Sequence, residues 1–217
     1  MTKKQHHFKI LVIGDQGTGK SCLIKRYVYN FYSQHYRTTI GVDFALKIVP
    51  MPDDESTEIR LQLWDIAGQA RVENLLRVYY KEAVGAFVVF DVTRYFTFES
   101  VVNWKQGLDS KVTLPNGTPI PCVLLANKID LPKDGNLSDP NVITQFAEEN
   151  GFAKWFETSA KENIGIKDAA NFLIRRIVDA LQADGPPPLP DDNIADLSAS
   201  SEGESKEKVK KSKCCSG

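Results

Sequence analysis

Three stretches of this chain, FKILVIG (8–14), GAFVVFDV (85–92) and PCVLLANK (121–128), are apolar almost without a break. A strand with one wet face alternates in polarity. A strand that does not alternate is covered on both faces, as in a parallel sheet between helical layers. Two further segments do alternate: TIGVDFALKIV (39–49) through Ile40, Val42, Phe44, Leu46 and Ile48, and EIRLQLWDI (58–66) through Ile59, Leu61 and Leu63. PMPDDEST between them, rich in proline and acid, reads as a hairpin loop. Helical patterns fill the gaps. KSCLIKRYVYNF and FTFESVVNWKQGLDSKV are two, and DAANFLIRRIVDAL sets Ala170, Leu173, Ile174, Ile177 and Leu181 on one stripe. The order predicts a doubly wound α/β domain, with a six-stranded, mostly parallel sheet and one antiparallel hairpin.

At 217 residues and 42% hydrophobic, the chain supports one domain with a tail. The expected divisions are a flexible N-terminus at 1–7, the folded domain at 8–182 and a disordered tail at 183–217. A formal net charge of −1 supplies no global field for a polyanion, so no nucleic-acid partner is expected. MTKKQHHF has no apolar stretch behind its lysines, and AVGAFVVF is far too short to cross a bilayer. Thr2 stands where myristoylation needs glycine. Cys22 and Cys122 lie far apart, and Cys214 and Cys215 are adjacent near the end. This is no disulfide framework, and it suits a reducing compartment. NGT (116–118) and NLS (136–138) have no route to glycosylation without a secretory leader. The expectation is a monomer that is cytosolic or faces the cytosol.

The chemistry lies in four short stretches. GDQGTGKS (14–21) fits G-x-x-x-x-G-K-[ST] between a strand and a helix. Its glycines turn backbone amides inward around phosphates, and the helix adds its positive end. Lys20 would reach the β- and γ-phosphates, and Ser21 would offer its hydroxyl to Mg²⁺. WDIAGQ (64–69) ends a strand: Asp65 would hold magnesium through water, the Gly68 amide would meet a γ-phosphate, and Gln69 would orient an attacking water. NKID (127–130) ends another. Asp130 can accept both hydrogens on the N1 and N2 edge of guanine; adenine lacks them and would leave a buried carboxylate without a partner. Asn127 and Lys128 would brace base and loop, and in ETSAK (157–161) the Ala160 backbone would meet the guanine O6. All four stretches fall at carboxyl ends of strands, where a doubly wound sheet opens its ligand crevice.

Over residues 8 to 181 the sequence resembles the Rab branch of Ras-like small GTPases, a P-loop NTPase fold. Rab features are IGVDF (40–44), the aromatic set Phe44, Trp64 and Tyr79, and the terminal cysteine pair. Ile66, GVDFALK, RVYYKEAVGAF, LPNG and WFETSAKEN are most similar to the sub-branch serving lysosomes and lysosome-related organelles. The resemblance implies GTP and GDP as ligands, with Mg²⁺ held by Ser21, Thr39 and Asp65. It implies nucleotide contacts from Gln16, Gly17, Thr18, Gly19, Lys20, Ser21, Cys22, Tyr32, Tyr36, Thr39, Gly68, Asn127, Lys128, Asp130, Ser159, Ala160 and Lys161. Gln69 and Lys20 would be catalytic. Tyr32 or Phe31 would pack on the guanine edge, with core packing an equal reading for Phe31. Ile40, Gly41, Phe44, Trp64 and Tyr79 would form an effector patch, for which plain hydrophobic packing is the other reading. Two switches, one at Thr39 and one from Asp65 to about Tyr79, would order around GTP and relax with GDP. The implied partners are an exchange factor, a GTPase-activating protein, a GDP-dissociation inhibitor and effectors.

Departures from the pattern qualify the hydrolysis. Gln16 stands where Ras has glycine and would crowd Gln69, slowing the reaction to or below an unassisted Ras-type rate on the order of 10⁻⁴ per second. QARVENLL replaces the usual QERF or QERY. Ala70 removes an acid that assists nucleotide exchange, and Val72 removes an aromatic. A scaffold that binds GTP and scarcely hydrolyses it is one rival reading; a P-loop kinase or ATPase is another, opposed by NKID. In the tail, KEKVKKSK (206–213) carries five lysines against one glutamate, then CCSG. As a Rab terminus, Cys214 and Cys215 would both carry geranylgeranyl groups. As a C-a-a-X box, Cys214 alone would be modified. Two lipids anchor stably and the lysines favour anionic membranes, here those of lysosomes or related organelles, with a cytosolic pool. PPPLP reads as linker rather than docking ligand, His6, His7 and His35 as solvent-facing, and Cys22 and Cys122 as small core residues.

Overall fold

The computed structural model describes residues 4–35, 37–52, 54–68 and 78–182, apart from the Glu55 side chain. The three apolar runs become β1 (Lys4–Ile13), β4 (Ala83–Asp91) and β5 (Cys122–Asn127). The alternating pair becomes β2 (Val42–Met51) and β3 (Asp54–Ile66), and β6 is Lys154–Thr158. Helices are α1 (Lys20–Tyr29), α2 (Tyr95–Glu99), α3 (Val101–Asp109), α4 (Pro140–Glu149) and α5 (Ile166–Gln182). The strand order is β2-β3-β1-β4-β5-β6, and only the β2–β3 pairing is antiparallel. This is the six-stranded, doubly wound sheet with one antiparallel hairpin that the sequence predicts.

Each central strand contributes to two cores. Leu11, Ile13, Val88, Phe90, Leu124 and Ala126 face the side packed with Phe98, Val101 and Leu108 of the α2–α3 segment and with Ile143 of α4. Ile10, Val12, Phe87, Val89, Val123 and Leu125 face the side covered by Leu23 and Ile24 of α1 and by the α5 stripe. Leu173 and Ile177 of that stripe are fully buried. Burial on both faces is what stabilises strands with so few polar positions.

Four details differ from the sequence reading. The hairpin is tighter than PMPDDEST suggested: β2 runs to Met51 and β3 starts at Asp54, because backbone pairing overrides the local turn preference of that stretch. The long helix expected from FTFES is interrupted at Ser100, whose Oγ donates to the Phe96 carbonyl at 3.0 Å, and it ends at Asp109. On β2 the apolar stripe faces outward: Phe44, Leu46 and Ile48 are 51%, 40% and 50% exposed, whereas Ala45 is buried. β2 is the edge strand, and α1 covers its other face, where the Lys47 Nζ donates to the Tyr27 carbonyl at 2.6 Å. His6, expected in solvent, is half-buried on β1, and burial lowers its pKa.

Candidate nucleotide-binding site

The sheet reverses its direction of winding between β1 and β4, so a crevice opens beyond the carboxyl ends of these strands. The loop after β1 fills it. Gly14 is at φ 137°, and a Cβ there would lie 2.1 Å from the Val89 carbonyl oxygen, so only glycine lets the chain leave β1 against β4. The Thr18 Oγ1 donates to the Asp15 carbonyl at 3.0 Å and closes the loop. Gly19 then caps α1 in a left-handed conformation with no side-chain acceptor, so the first amides of the helix have no side-chain cap.

Lys20 is buried at the start of that helix. Its Nζ donates to the Gly14 and Asp15 carbonyls, both at 2.8 Å. Burial pushes the ammonium down to about 8, against the pull of the Asp65 and Asp15 carboxylates. An anion beside it would supply the charge that burial withholds.

At the same end of the crevice three oxygens from three elements converge. The Ser21 Oγ lies 2.9 Å from the Thr39 Oγ1 and donates to the Asp65 Oδ2, which the Thr39 hydroxyl also reaches at 3.4 Å. The other carboxylate oxygen of Asp65 is buried without a partner, and burial raises this carboxyl. Two hydroxyls and a carboxylate with an orphaned oxygen are hard donors, a set that suits magnesium. Gly68 closes this wall: a Cβ would lie 2.2 Å from the Gln16 backbone nitrogen.

The opposite end is built by β5 and β6. Asn127, 1% exposed, donates from Nδ2 to the Thr18 carbonyl at 2.8 Å and accepts from the Thr158 hydroxyl at 3.2 Å. Lys128 follows in a left-handed backbone, φ 72°, and its Nζ sits 2.6 Å from the Asp91 Oδ2. The Asp130 Oδ1 accepts from the Ser159 hydroxyl at 2.6 Å, and the Lys161 Nζ stands 4.0 Å from Oδ2. Arg26 of α1 ties the ETSAK loop down, donating to the carbonyls of Ala160 at 2.8 Å and Lys161 at 3.0 Å.

A cleft of about 530 Å³ connects these walls. Gln16, Gly17, Gly19, Lys20, Ser21, Cys22, Tyr32, Thr39, Gly68 and Lys128 line it. Asp65 is not on its lining but bonds to Ser21 and Thr39, which are; Thr18, Asn127, Asp130, Ser159, Ala160 and Lys161 are not on its lining. Phe31 also lines it and is 54% exposed, which removes the core-packing reading; Tyr32 is half-buried against the α1–α5 core. Cys22 is a half-buried cleft residue, Cys122 a fully buried core one, and burial raises both thiols. Tyr36, Gln69, Ala70, Val72, Cys214 and Cys215 lie outside the described residues.

On the outer face, Phe44 and Trp64 stand edge to face at 5.9 Å, and Tyr79 lies 6.2 Å beyond Trp64. Phe44 is exposed, while Trp64 and Tyr79 also pack on the core. Ile40 and Gly41 are exposed beside them. The sequence reading missed Lys25, His35 and Arg37 on the cleft wall, and Arg94 and Trp104, which grip the loop from outside it. Arg94 Nη2 donates to the Gln16 carbonyl at 3.2 Å and the Trp104 Nε1 to the Asp15 carboxylate at 2.8 Å. No motif marks them, because their partners come from a distant part of the chain.

A sheet of this order, with phosphate-type and base-type loops at one rim, defines the small GTPase class of P-loop proteins. The chain belongs to the Ras family, in its Rab branch: the Ras family profile matches residues 9–179. Ras-related protein Rab-32 of Homo sapiens is 62% identical over 175 residues, covering 81% of this chain and 76% of the relative. Rab-32A of Dictyostelium discoideum is 57% identical, covering 80% and 79%. Ras-related protein Rab-7L1 of Homo sapiens is 49% identical, covering 82% and 86%. Proteins of this family bind GTP and GDP, generally with Mg²⁺, and work with exchange factors, activating proteins, dissociation inhibitors and effectors in membrane trafficking. This chain is a small GTPase that hydrolyses GTP to GDP and phosphate.

Proposed function

We propose that this chain is a slow Rab-type switch, acting in trafficking to lysosomes or the biogenesis of lysosome-related organelles. The observation that carries the site assignment is the convergence of Asp65 on Ser21 and Thr39 at one end of a cleft that Lys128 also lines. The inward amides of residues 16–20 and Lys20 bind the β- and γ-phosphates and stabilise the charge that builds there during transfer. Ser21, Thr39 and Asp65 hold magnesium, which neutralises phosphate charge when bound. Asp130, oriented by Ser159, reads the guanine edge, and Gln69 orients the attacking water. Gln16 is exposed on the loop against which Gly68, the residue before Gln69 in the sequence, packs. This supports slow hydrolysis.

The exposed Phe44, together with Trp64, Tyr79, Ile40 and Gly41, would receive effectors once Thr39 and Gly68 engage the γ-phosphate. The lysines of 206–213 and lipidated Cys214 and Cys215 would fix the protein on the organelle membrane.

Single-turnover hydrolysis of bound GTP, measured beside Gln69→Leu, tests the switch. The expected result is a slow wild-type rate and a slower variant. Equal rates would leave a GTP-binding scaffold instead. Competition with ATP tests the Asp130 assignment, and preference for ATP would reject it.

A further inference from the structure

One guanidinium links the two ends of the site from outside the cleft. Arg94, just past β4, donates from Nη2 to the Gln16 carbonyl at 3.2 Å and from Nε to the Asp91 Oδ2 at 2.8 Å. The same carboxylate oxygen takes the Lys128 Nζ at 2.6 Å. The other, Oδ1, accepts from the Thr93 amide at 3.0 Å and hydroxyl at 2.8 Å. Asp91 is the last residue of β4 and 1% exposed. Burial alone would raise its carboxyl, but the bonds from Lys128 and Thr93 outweigh it and hold the group below the ordinary value. Asp91 is thus a fixed, charged post between the phosphate loop and the left-handed turn at Lys128.

We propose that Arg94 is a positioning residue for nucleotide retention: by bridging Asp91 to the Gln16 carbonyl, it fixes the Gln16–Gly17 stretch of the phosphate loop relative to Lys128 and so slows release of the bound nucleoside diphosphate. This rests on the GTPase reading above and concerns the regulation of the same site. An amide cradle is only as rigid as the peptide units that form it, and each amide turned inward shares a peptide plane with a carbonyl turned outward. The Gln16 carbonyl shares its peptide plane with the Gly17 amide of the loop, and Arg94 donates to it from another element. The guanidinium also backs the next residue, since a Cβ on Gly17 would lie 3.4 Å from the Arg94 Nη2. Holding a carboxylate and a carbonyl at once requires two donors in a fixed fork. Lysine carries one charge centre and cannot span both.

That difference provides the test. The full chain is loaded with fluorescent GDP and chased with unlabelled GDP at constant magnesium, for wild type, Arg94→Lys and Arg94→Ala, and Tm is measured on each. The Arg94 side chain is 33% exposed, so both variants should fold. Arg94→Lys keeps the charge pair with Asp91 and should keep Tm, yet release GDP about tenfold faster, equivalent to about 1.4 kcal/mol. Arg94→Ala should be at least as fast, and association rates should change less than release. Leu173→Ala, which lowers Tm from the far side of the sheet, is the stability control and should release GDP more slowly than either Arg94 variant despite its lower Tm. Release at the wild-type rate from Arg94→Lys, or release that simply follows Tm across all three variants, would overturn the proposal. Failure of the wild type to load GDP would instead overturn the reading on which it rests.

Discussion

Asn127 and Gly19 occupy the same space, and the consequence can be worked out in advance. The Asn127 amide donates to the Thr18 carbonyl and accepts from the Thr158 hydroxyl, and all three residues are at most 1% exposed. Asn127→Ala leaves two buried groups without partners, at about 1–3 kcal/mol each, so a loss of roughly 2–6 kcal/mol is expected. Gly19→Ala sets a Cβ only 2.3 Å from the Asn127 Nδ2, on a backbone at φ 97°. The strained backbone costs about 1 kcal/mol and the clash about 1–3 more. In the double variant the clash has nothing to strike, so only the backbone cost is added. The pair should therefore be more stable than the sum of the singles by about 2 kcal/mol. Urea unfolding at a series of GDP concentrations, extrapolated to zero GDP, measures all four corners of the cycle with each variant's own ligand linkage removed. Additivity within about 0.5 kcal/mol would refute the contact and, with it, the claim that β5 braces the phosphate loop.

Two other expectations concern the core. Gly85→Ala pushes a Cβ to 2.6 Å from the Ile177 Cδ1 of α5; overpacking of about 1–3 kcal/mol should appear in the same denaturation assay, and Ile177→Val should relieve part of it. Burial raises the phenol of Tyr80 from 10.0 to about 12. Between these values the unfolded chain has lost a proton that the folded chain keeps, so stability falls as pH rises. From pH 9 to pH 11 the wild type should lose about 1.4 kcal/mol more than Tyr80→Phe, which has no proton there to lose.

Much of the fold was legible because the three unalternating runs admit few arrangements. Strands with no wet face need helices on both sides, and Leu11 and Ile10 pointing into opposite cores is the direct result. The cleft was legible in its glycines and its lysine for a related reason. Gly14 and Gly19 sit where a side chain would strike Val89 or Asn127, so local sequence records a tertiary contact. Other features were not legible. The alternation of β2 sets Phe44, Leu46 and Ile48 on one face, and only the structure shows that this face is turned outward. Periodicity says which residues share a face, not whether anything packs against it.

The sequence by itself determined the order of strands and helices, the segments that carry polar chemistry and the positions that only glycine can fill. Each of these is set by near neighbours and by the period of burial. Tertiary structure alone decided that Arg94 and Trp104 hold the phosphate loop, that Asp91 joins it to Lys128 and that Arg26 fastens the loop at Ala160. These bonds join groups up to 134 positions apart. A donor and an acceptor so distant leave no periodic trace in either segment, and only the packing of the sheet brings them within reach of each other.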